Sequence, residues 1–208
     1  MTLNDYLADL PLIAILRGVR PDEIIDVGDA LVAAGFRVIE IPLNSPEPLD
    51  SIERLATHLG ESAVVGAGTV LSTDDVTSVG AVGGRLIVSP NMKPSVIEAA
   101  KAAGLFSAPG VATPTEGFAA LDAGADALKL FPAEAITPAI VKAWRAVVPN
   151  HVPLMPVGGI SPDTMQPYMT AGATGFGLGS ALYKAGMDAD TVRPVVTQIA
   201  GALLGGES

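Results

Sequence analysis

A lysine and a glutamate occupy matching places in two short apolar runs, where together they could carry out carbonyl chemistry. Lys129 lies within residues 127–132 (ALKLFP), and Glu40 lies within residues 38–42 (VIEIP). In a strand, alternation would turn the leucines and isoleucines to one face and the two ionisable side chains to the other. Burial there favours a neutral amine, which can attack a ketone, and a carboxyl group that can transfer protons. Two structural alternatives are a lysine whose ammonium reaches solvent and a buried Glu–Lys ion pair.

Three further features suit an anionic ligand. Arg17 ends the first apolar run, and its planar guanidinium fits a carboxylate or a phosphate, although a salt bridge at a rim would also explain it. Two glycine phrases, VGGI at 157–160 and GLGS at 177–180, follow the last two apolar runs. Backbone N–H groups in such loops bind phosphate, and Ser180 adds a hydroxyl. The sequence therefore predicts a phosphorylated ligand.

Short apolar runs, typical of buried strands, alternate along the chain with longer amphipathic segments, typical of helices. Strands are predicted at 12–16, 38–42, 63–67, 85–89, 105–108, 127–131, 154–157 and 175–178. Helices are predicted at 21–34, 46–59, 73–79, 94–103, 114–123, 137–147, 162–171 and 188–204, several opening on proline and closing before glycine.

Eight βα units in 208 residues predict a parallel (β/α)8 TIM barrel that forms one domain over residues 1–208. The alternative is an open doubly wound sheet, which would carry a glycine-rich dinucleotide turn after its first strand. No such turn follows Leu16. In a barrel, the C-terminal ends of the strands hold the active site, which is where Lys129 and the glycine phrases would lie.

Composition excludes several functional classes. Twelve basic against 22 acidic residues give a net charge of −10, which argues against binding nucleic acid or an anionic membrane through a basic surface. The chain has no cysteine and two histidines, so thiolate catalysis, a multi-histidine metal site and a Ser-His-Asp triad find little support. A hydrophobic fraction of 49% excludes general disorder and leaves apolar surface that subunits could cover. Because neither a signal peptide nor a membrane span is visible, we expect a cytoplasmic protein.

The motifs together resemble those of the class I 2-dehydro-3-deoxy-phosphogluconate/phosphogalactonate aldolases, over residues 10 to 183. The matching phrases are ILRG at 15–18, EIPLNSP at 40–46, GAGTV at 66–70, VSPN at 88–91, PGVATPTE at 109–116, LKLFPA at 128–133, VGGI at 157–160 and GLGS at 177–180.

This resemblance implies that Lys129 forms a Schiff base with the substrate and that Glu40 transfers protons through a water molecule. It implies no cofactor, no metal, and a homo-oligomer, specifically a trimer. It also implies that Arg17 and Thr69 lie near the pyruvate portion of the substrate and that Gly158, Gly159 and Ser180 hold the phosphate. The full set of substrate-binding candidates is Arg17, Asn44, Thr69, Pro90, Thr113, Phe131, Gly158, Gly159, Gly179 and Ser180.

The loop after Glu40 distinguishes two branches of this family. Phosphogluconate aldolases carry an arginine there, in a phrase like EVTLRT, whereas this chain has Asn44 in EIPLNSP, as phosphogalactonate aldolases do. We therefore expect cleavage of 2-dehydro-3-deoxy-6-phosphogalactonate to pyruvate and glyceraldehyde 3-phosphate, with the gluconate epimer, or both epimers, as the alternative. The residues are also compatible with a phosphate-binding barrel isomerase or synthase, a phosphosugar sensor, or a metal-dependent aldolase.

Overall fold

The computed structural model describes residues 1–204, so the last four residues of the predicted 1–208 domain lie outside the described range. Within this range nine strands follow one another, each short and almost wholly buried. Their bounds are β1 Leu12–Ile15, β2 Val38–Pro42, β3 Val64–Gly68, β4 Leu86–Val88, β5 Phe106–Ala108, β6 Gly110–Val111, β7 Leu128–Leu130, β8 Leu154–Pro156 and β9 Phe176–Leu178.

Helices lie between successive strands except β5 and β6, and no helix within residues 1–204 combines the length and apolar character that crossing a bilayer requires. They are α1 Leu3–Leu7, α2 Ile24–Ala33, α3 Pro48–Leu59, α4 Thr73–Ala81, α5 Pro94–Ala102, α6 Pro114–Asp122, α7 Pro138–Arg145, α8 Pro162–Thr170 and α9 Ala189–Leu204, with 3-10 turns at Gly60–Ser62 and Ala133–Ala135. Four of the predicted proline starts are confirmed, at α5, α6, α7 and α8. Pro21 and Pro46 instead lie in turns before α2 and α3.

The strands form two parallel sheets rather than the single eight-stranded sheet that was predicted. The larger sheet has the order β5-β4-β3-β2-β1-β9, and the smaller has the order β6-β7-β8. Pro109 separates β5 from β6, and because proline has no N–H it cannot donate to a neighbouring strand. At the other junction, a single parallel bridge joins Val157 to Gly177. The architecture is thus a parallel α/β fold in which helices connect all successive strands except β5 and β6.

Side-chain alternation along the strands separates two apolar clusters, as predicted. Ile39 and Leu128 belong to the larger cluster, which includes buried side chains of the helices. Val38 and Leu86 belong to the smaller cluster on the opposite face of the strands. This inner face is the one on which Glu40 and Lys129 lie.

The five-residue helix α1, which has a capping box between Thr2 and Asp5, was not predicted because its sequence signal is weak. Its side chains Leu3, Tyr6 and Leu7 join the inner cluster, which also contains Ile13 and Val64 near the starts of strands. The helix therefore covers the N-terminal ends of the strands. The opposite, C-terminal ends carry the cavity described next.

Candidate active site

A cavity of about 400 Å³ lies at the C-terminal ends of the strands. Ten of the twelve site residues predicted from the sequence line it, and Asn44 and Thr113 do not. The ten are Arg17, Glu40, Thr69, Pro90, Lys129, Phe131, Gly158, Gly159, Gly179 and Ser180. The fold thus brings together residues that are distant in the sequence: Arg17 and Ser180, which both line the cavity, are 163 positions apart.

Another concave region, of about 410 Å³, lies beside α1 and includes Asp126 and His151. Asp126 is already engaged there, because it forms an ion pair with Lys101 at 2.6 Å and accepts a hydrogen bond from the Ser107 amide at 2.8 Å. A carboxylate whose oxygens are paired in this way has a structural role rather than a catalytic one. The cavity around Lys129 is therefore the candidate active site.

Glu40 is held on β2 with only 2% of its surface exposed. Burial raises the pKa of its carboxyl group, while the positive charges of Lys129 and Arg17 partly oppose that rise. In the described part of the chain, Oε2 has no hydrogen-bond partner and the carboxylate forms no ion pair. The Glu–Lys ion pair considered from the sequence is therefore not formed, and the carboxyl group is available to a substrate.

Gly68 makes room for this carboxyl group. A Cβ atom placed on Gly68 would lie 1.3 Å from Oε2 of Glu40, so any side chain there would displace the carboxylate. The next residue, Thr69, lines the cavity with a φ of 59°, a left-handed conformation that is rare for a β-branched residue. Such local backbone strain is concentrated at functional sites, which agrees with the place of Thr69 in the cavity wall.

Lys129 lies on β7 and is 9% exposed, so most of its side chain is buried in the wall of the cavity. Burial lowers the pKa of this lysine; Glu40 acts in the opposite sense, and Arg17 adds to the lowering. Its Nζ atom lies 4.9 Å from the centre of the Phe131 ring. The pKa shifts of Lys129 and Glu40 both favour the uncharged forms, and a neutral buried amine is a nucleophile for a ketone.

Arg17 enters the cavity from the end of β1 and is oriented by the loop after β2. Its Nη1 atom donates a hydrogen bond to Oδ1 of Asn44, and the Gly18 amide donates to Oγ of Ser45 at 2.9 Å. Asn44 is exposed and does not line the cavity, and this hydrogen bond connects it to Arg17, which does.

Thr113 lies away from the cavity because its side chain caps a helix. Its Oγ1 accepts a hydrogen bond from the Glu116 amide at 3.3 Å in the capping box that begins α6. The exposed Thr113 side chain therefore caps the N-terminus of α6 and does not line the cavity.

The two glycine phrases meet at the cavity. Gly158 and Gly159 have φ angles of 104° and 63°, and a Cβ on Gly158 would lie 2.7 Å from Oε2 of Glu134. Glycine is favoured there because these positive φ angles would strain a residue with a side chain. Such a turn leaves backbone N–H groups accessible to an anion, and Ser180 lines the same cavity.

Six lining residues were not predicted from the sequence. Ile15, Val157 and Gly177 belong to strand segments, where the side-chain alternation that identified Glu40 could have found them; the remaining three are Ile160, Tyr183 and Lys184. Lys184 had a usable signal, because it is a basic residue just after the GLGS phrase. Within residues 1–204, no group of three His, Asp or Glu side chains is arranged to hold a metal ion.

A family model described as KDPG and KHG aldolase matches residues 3–197. The chain belongs to this family. Its members are class I aldolases, which act through a Schiff base, and this chain is accordingly a carbon–carbon lyase. The resemblance drawn from the sequence motifs is confirmed by this match.

Relatives within the family cover most of the chain. A "Probable 2-dehydro-3-deoxy-6-phosphogalactonate aldolase" of Rhizobium meliloti is 50% identical over 88% of this chain and 86% of its own length. The 2-dehydro-3-deoxy-6-phosphogalactonate aldolase of Escherichia coli is 46% identical over 87% of this chain and 88% of its own. A solved structure described as native KDPGal superposes with a TM-score of 0.92 at 43% identity, covering 94% of this chain and 95% of that one.

Proposed function

We propose that this aldolase cleaves 2-dehydro-3-deoxy-6-phosphogalactonate to pyruvate and glyceraldehyde 3-phosphate. The observation that carries the proposal is the buried pair Lys129 and Glu40, which share one cavity and whose pKa values are shifted toward the uncharged forms. The names of the phosphogalactonate-cleaving relatives supply the substrate class. Asn44, the residue that separates the two branches in sequence, supports the choice of epimer.

The reaction begins when the neutral amine of Lys129 attacks the C2 ketone. The hydroxyl group of the resulting carbinolamine takes the proton of the uncharged Glu40 carboxyl group and leaves as water, which forms an iminium ion. The Glu40 carboxylate then removes the proton of the C4 hydroxyl as the bond between C3 and C4 breaks. The electrons of that bond move into the iminium and give an enamine, while glyceraldehyde 3-phosphate leaves. Glu40 gives its proton to C3, and hydrolysis of the resulting iminium releases pyruvate, restores the neutral amine of Lys129 and returns a proton to Glu40.

Two groups of cavity residues bind the ends of the substrate in this proposal. Arg17 and Thr69 bind the carboxylate end, where the guanidinium matches the charge of the pyruvate portion. Gly158, Gly159 and Ser180 bind the phosphate through backbone N–H groups and a hydroxyl. Pro90, Phe131 and Gly179 complete the wall.

Activity on both epimers and on a substrate without phosphate tests the proposed function. The galactonate epimer should be cleaved at least as well as the gluconate epimer. Removal of the phosphate should lower kcat/KM by ~10²-fold or more, because the charge-assisted hydrogen bonds from the glycine loops and Ser180 would be lost. The measurement is steady-state kinetics on the three compounds. A strong preference for the gluconate epimer would contradict the choice of substrate, and indifference to phosphate would remove the glycine loops from the site.

We infer that the two sheets are arcs of one closed eight-stranded barrel within a single domain. Only Pro109 separates β5 from β6, so the two segments can count as one strand. The bridge between Val157 and Gly177 supports closure at the other junction. Closure would leave no free sheet edge, which agrees with the burial of the strands.

We also propose a homotrimer, as the family resemblance implies. Phe118 and Ile140 are large apolar side chains that are 41% and 37% exposed on outer helices, and such surface favours association. Light scattering at micromolar concentration should give three times the 21.0 kDa chain mass. A mass of one chain would contradict the trimer.

A further inference from the structure

We propose that Lys184 binds the phosphate of the substrate as a charged partner of the glycine loops, an inference that rests on the proposed function. Lys184 lines the cavity together with Ser180, Gly158 and Gly159. The family resemblance assigned the phosphate to the glycine loops and Ser180 alone. The structure adds a cation to that end of the site.

The backbone after β9 brings Lys184 to the same side of the chain as Ser180. The amides of Leu182 and Tyr183 both donate to the Gly179 carbonyl, at 2.8 and 2.9 Å, so this segment forms one helical turn. The chain leaves this turn at Lys184, whose amide donates to Sδ of Met187 at 3.1 Å. Ser180 and Lys184, at the two ends of the turn, both line the cavity.

The neighbours of Lys184 fix its place. Tyr183 is 3% exposed, and its hydroxyl contacts Glu23 Oε2 at 3.4 Å. On the other side, a Cβ on Gly18 would lie 2.8 Å from the Cβ of Ala185, so the two segments are in close contact. The backbone of Lys184 is thus anchored on both sides while its side chain remains exposed at the cavity mouth.

Charge explains why a lysine would serve there. Four ionisable residues line the cavity; Arg17 and Lys184 are basic, while the pKa values of Lys129 and Glu40 are shifted toward the uncharged forms. The chain as a whole carries −10, so the site is a basic region in an acidic protein. Lys184 forms no ion pair with a carboxylate among the residues that the structure describes. An ammonium in this state can attract and hold a phosphate of about −2 charge.

The test uses the condensation direction, with pyruvate as donor and either glyceraldehyde 3-phosphate or glyceraldehyde as acceptor. The ratio of kcat/KM for the two acceptors measures the preference for phosphate. In Lys184→Met this ratio should fall by about three- to tenfold, as expected for an exposed charged contact. Lys184→Arg should keep most of the preference. Added salt should raise the KM for glyceraldehyde 3-phosphate less steeply in Lys184→Met than in the unmodified enzyme.

Lys142→Met is the matched control, because Lys142 is exposed on α7 and does not line the cavity. Its acceptor ratio should equal that of the unmodified enzyme. A ratio preserved in Lys184→Met, or lowered equally in Lys142→Met, would overturn the role of Lys184 alone. An unmodified enzyme that shows no preference for the phosphorylated acceptor would overturn the proposed substrate as well.

Discussion

Lys129→Met is expected to abolish aldol cleavage, with a loss in kcat of on the order of 10⁴ or more, because the variant cannot form the iminium ion. Methionine retains most of the side-chain volume, so the contact with Phe131 and the fold should persist. The direct measurement is mass spectrometry after incubation with pyruvate and borohydride. The unmodified enzyme should carry a reduced pyruvyl adduct on Lys129, and the variant should carry none.

The pH dependence of adduct formation gives an independent check on Lys129. Burial lowers the pKa of this lysine below its ordinary value of 10.5. The rate of adduct formation should therefore rise with pH and level off at a pH below 10.5, because the reactive species is the neutral amine. Lys142→Met, which alters an exposed lysine on α7, should retain both adduct and turnover. An adduct on any lysine other than Lys129 would show that the assignment of the nucleophile is wrong.

Glu40→Gln is expected to lower the cleavage rate by ~10²-fold or more, because the amide keeps the shape of the carboxyl group but cannot accept the C4 hydroxyl proton. Formation of the pyruvate adduct should be affected less than cleavage, since it depends first on the amine of Lys129. Comparison of single-turnover adduct formation with steady-state cleavage separates the two effects. Turnover close to that of the unmodified enzyme would reduce Glu40 to a structural residue.

The stability of Glu40→Gln provides the control for folding. Because burial raises the pKa of Glu40 above its ordinary value of 4.5, the folded state holds this proton more tightly than the unfolded chain does. The contribution of Glu40 to stability is therefore present at low pH and declines as pH rises through the raised pKa. The variant lacks this decline, so denaturant unfolding at several pH values should show a smaller loss of stability with rising pH.

Period-two alternation in the strands was readable without any tertiary structure. The runs around Glu40 and Lys129 place a single ionisable residue between apolar ones, and burial of the apolar face then leaves one orientation for the ionisable group. The glycines before strands were equally readable. Gly35, Gly104, Gly124 and Gly172 follow helices and all have positive φ, because a left-handed residue ends a helix there.

Several features of the site depend instead on contacts between distant segments. Asn44 was expected to bind substrate, yet it does not line the cavity, and its amide oxygen accepts a hydrogen bond from Arg17, 27 residues earlier. Thr113 was expected to bind substrate, yet it caps α6. No local pattern distinguishes a polar side chain that faces a ligand from one that satisfies a neighbouring backbone group.

The alternation of strands and helices, apart from α1 and β6, the inward direction of Lys129 and Glu40, and the aldolase family could all be read from the sequence. These depend on local periodicity and on short motifs, which are properties of neighbouring residues. Only the folded chain shows that Glu40 lacks an ion-pair partner within residues 1–204, that Gly68 accommodates its carboxyl group, and that Lys184 joins the cavity. These features depend on how closely separate strands and loops approach in space, and a distance between segments is set by packing of the whole fold.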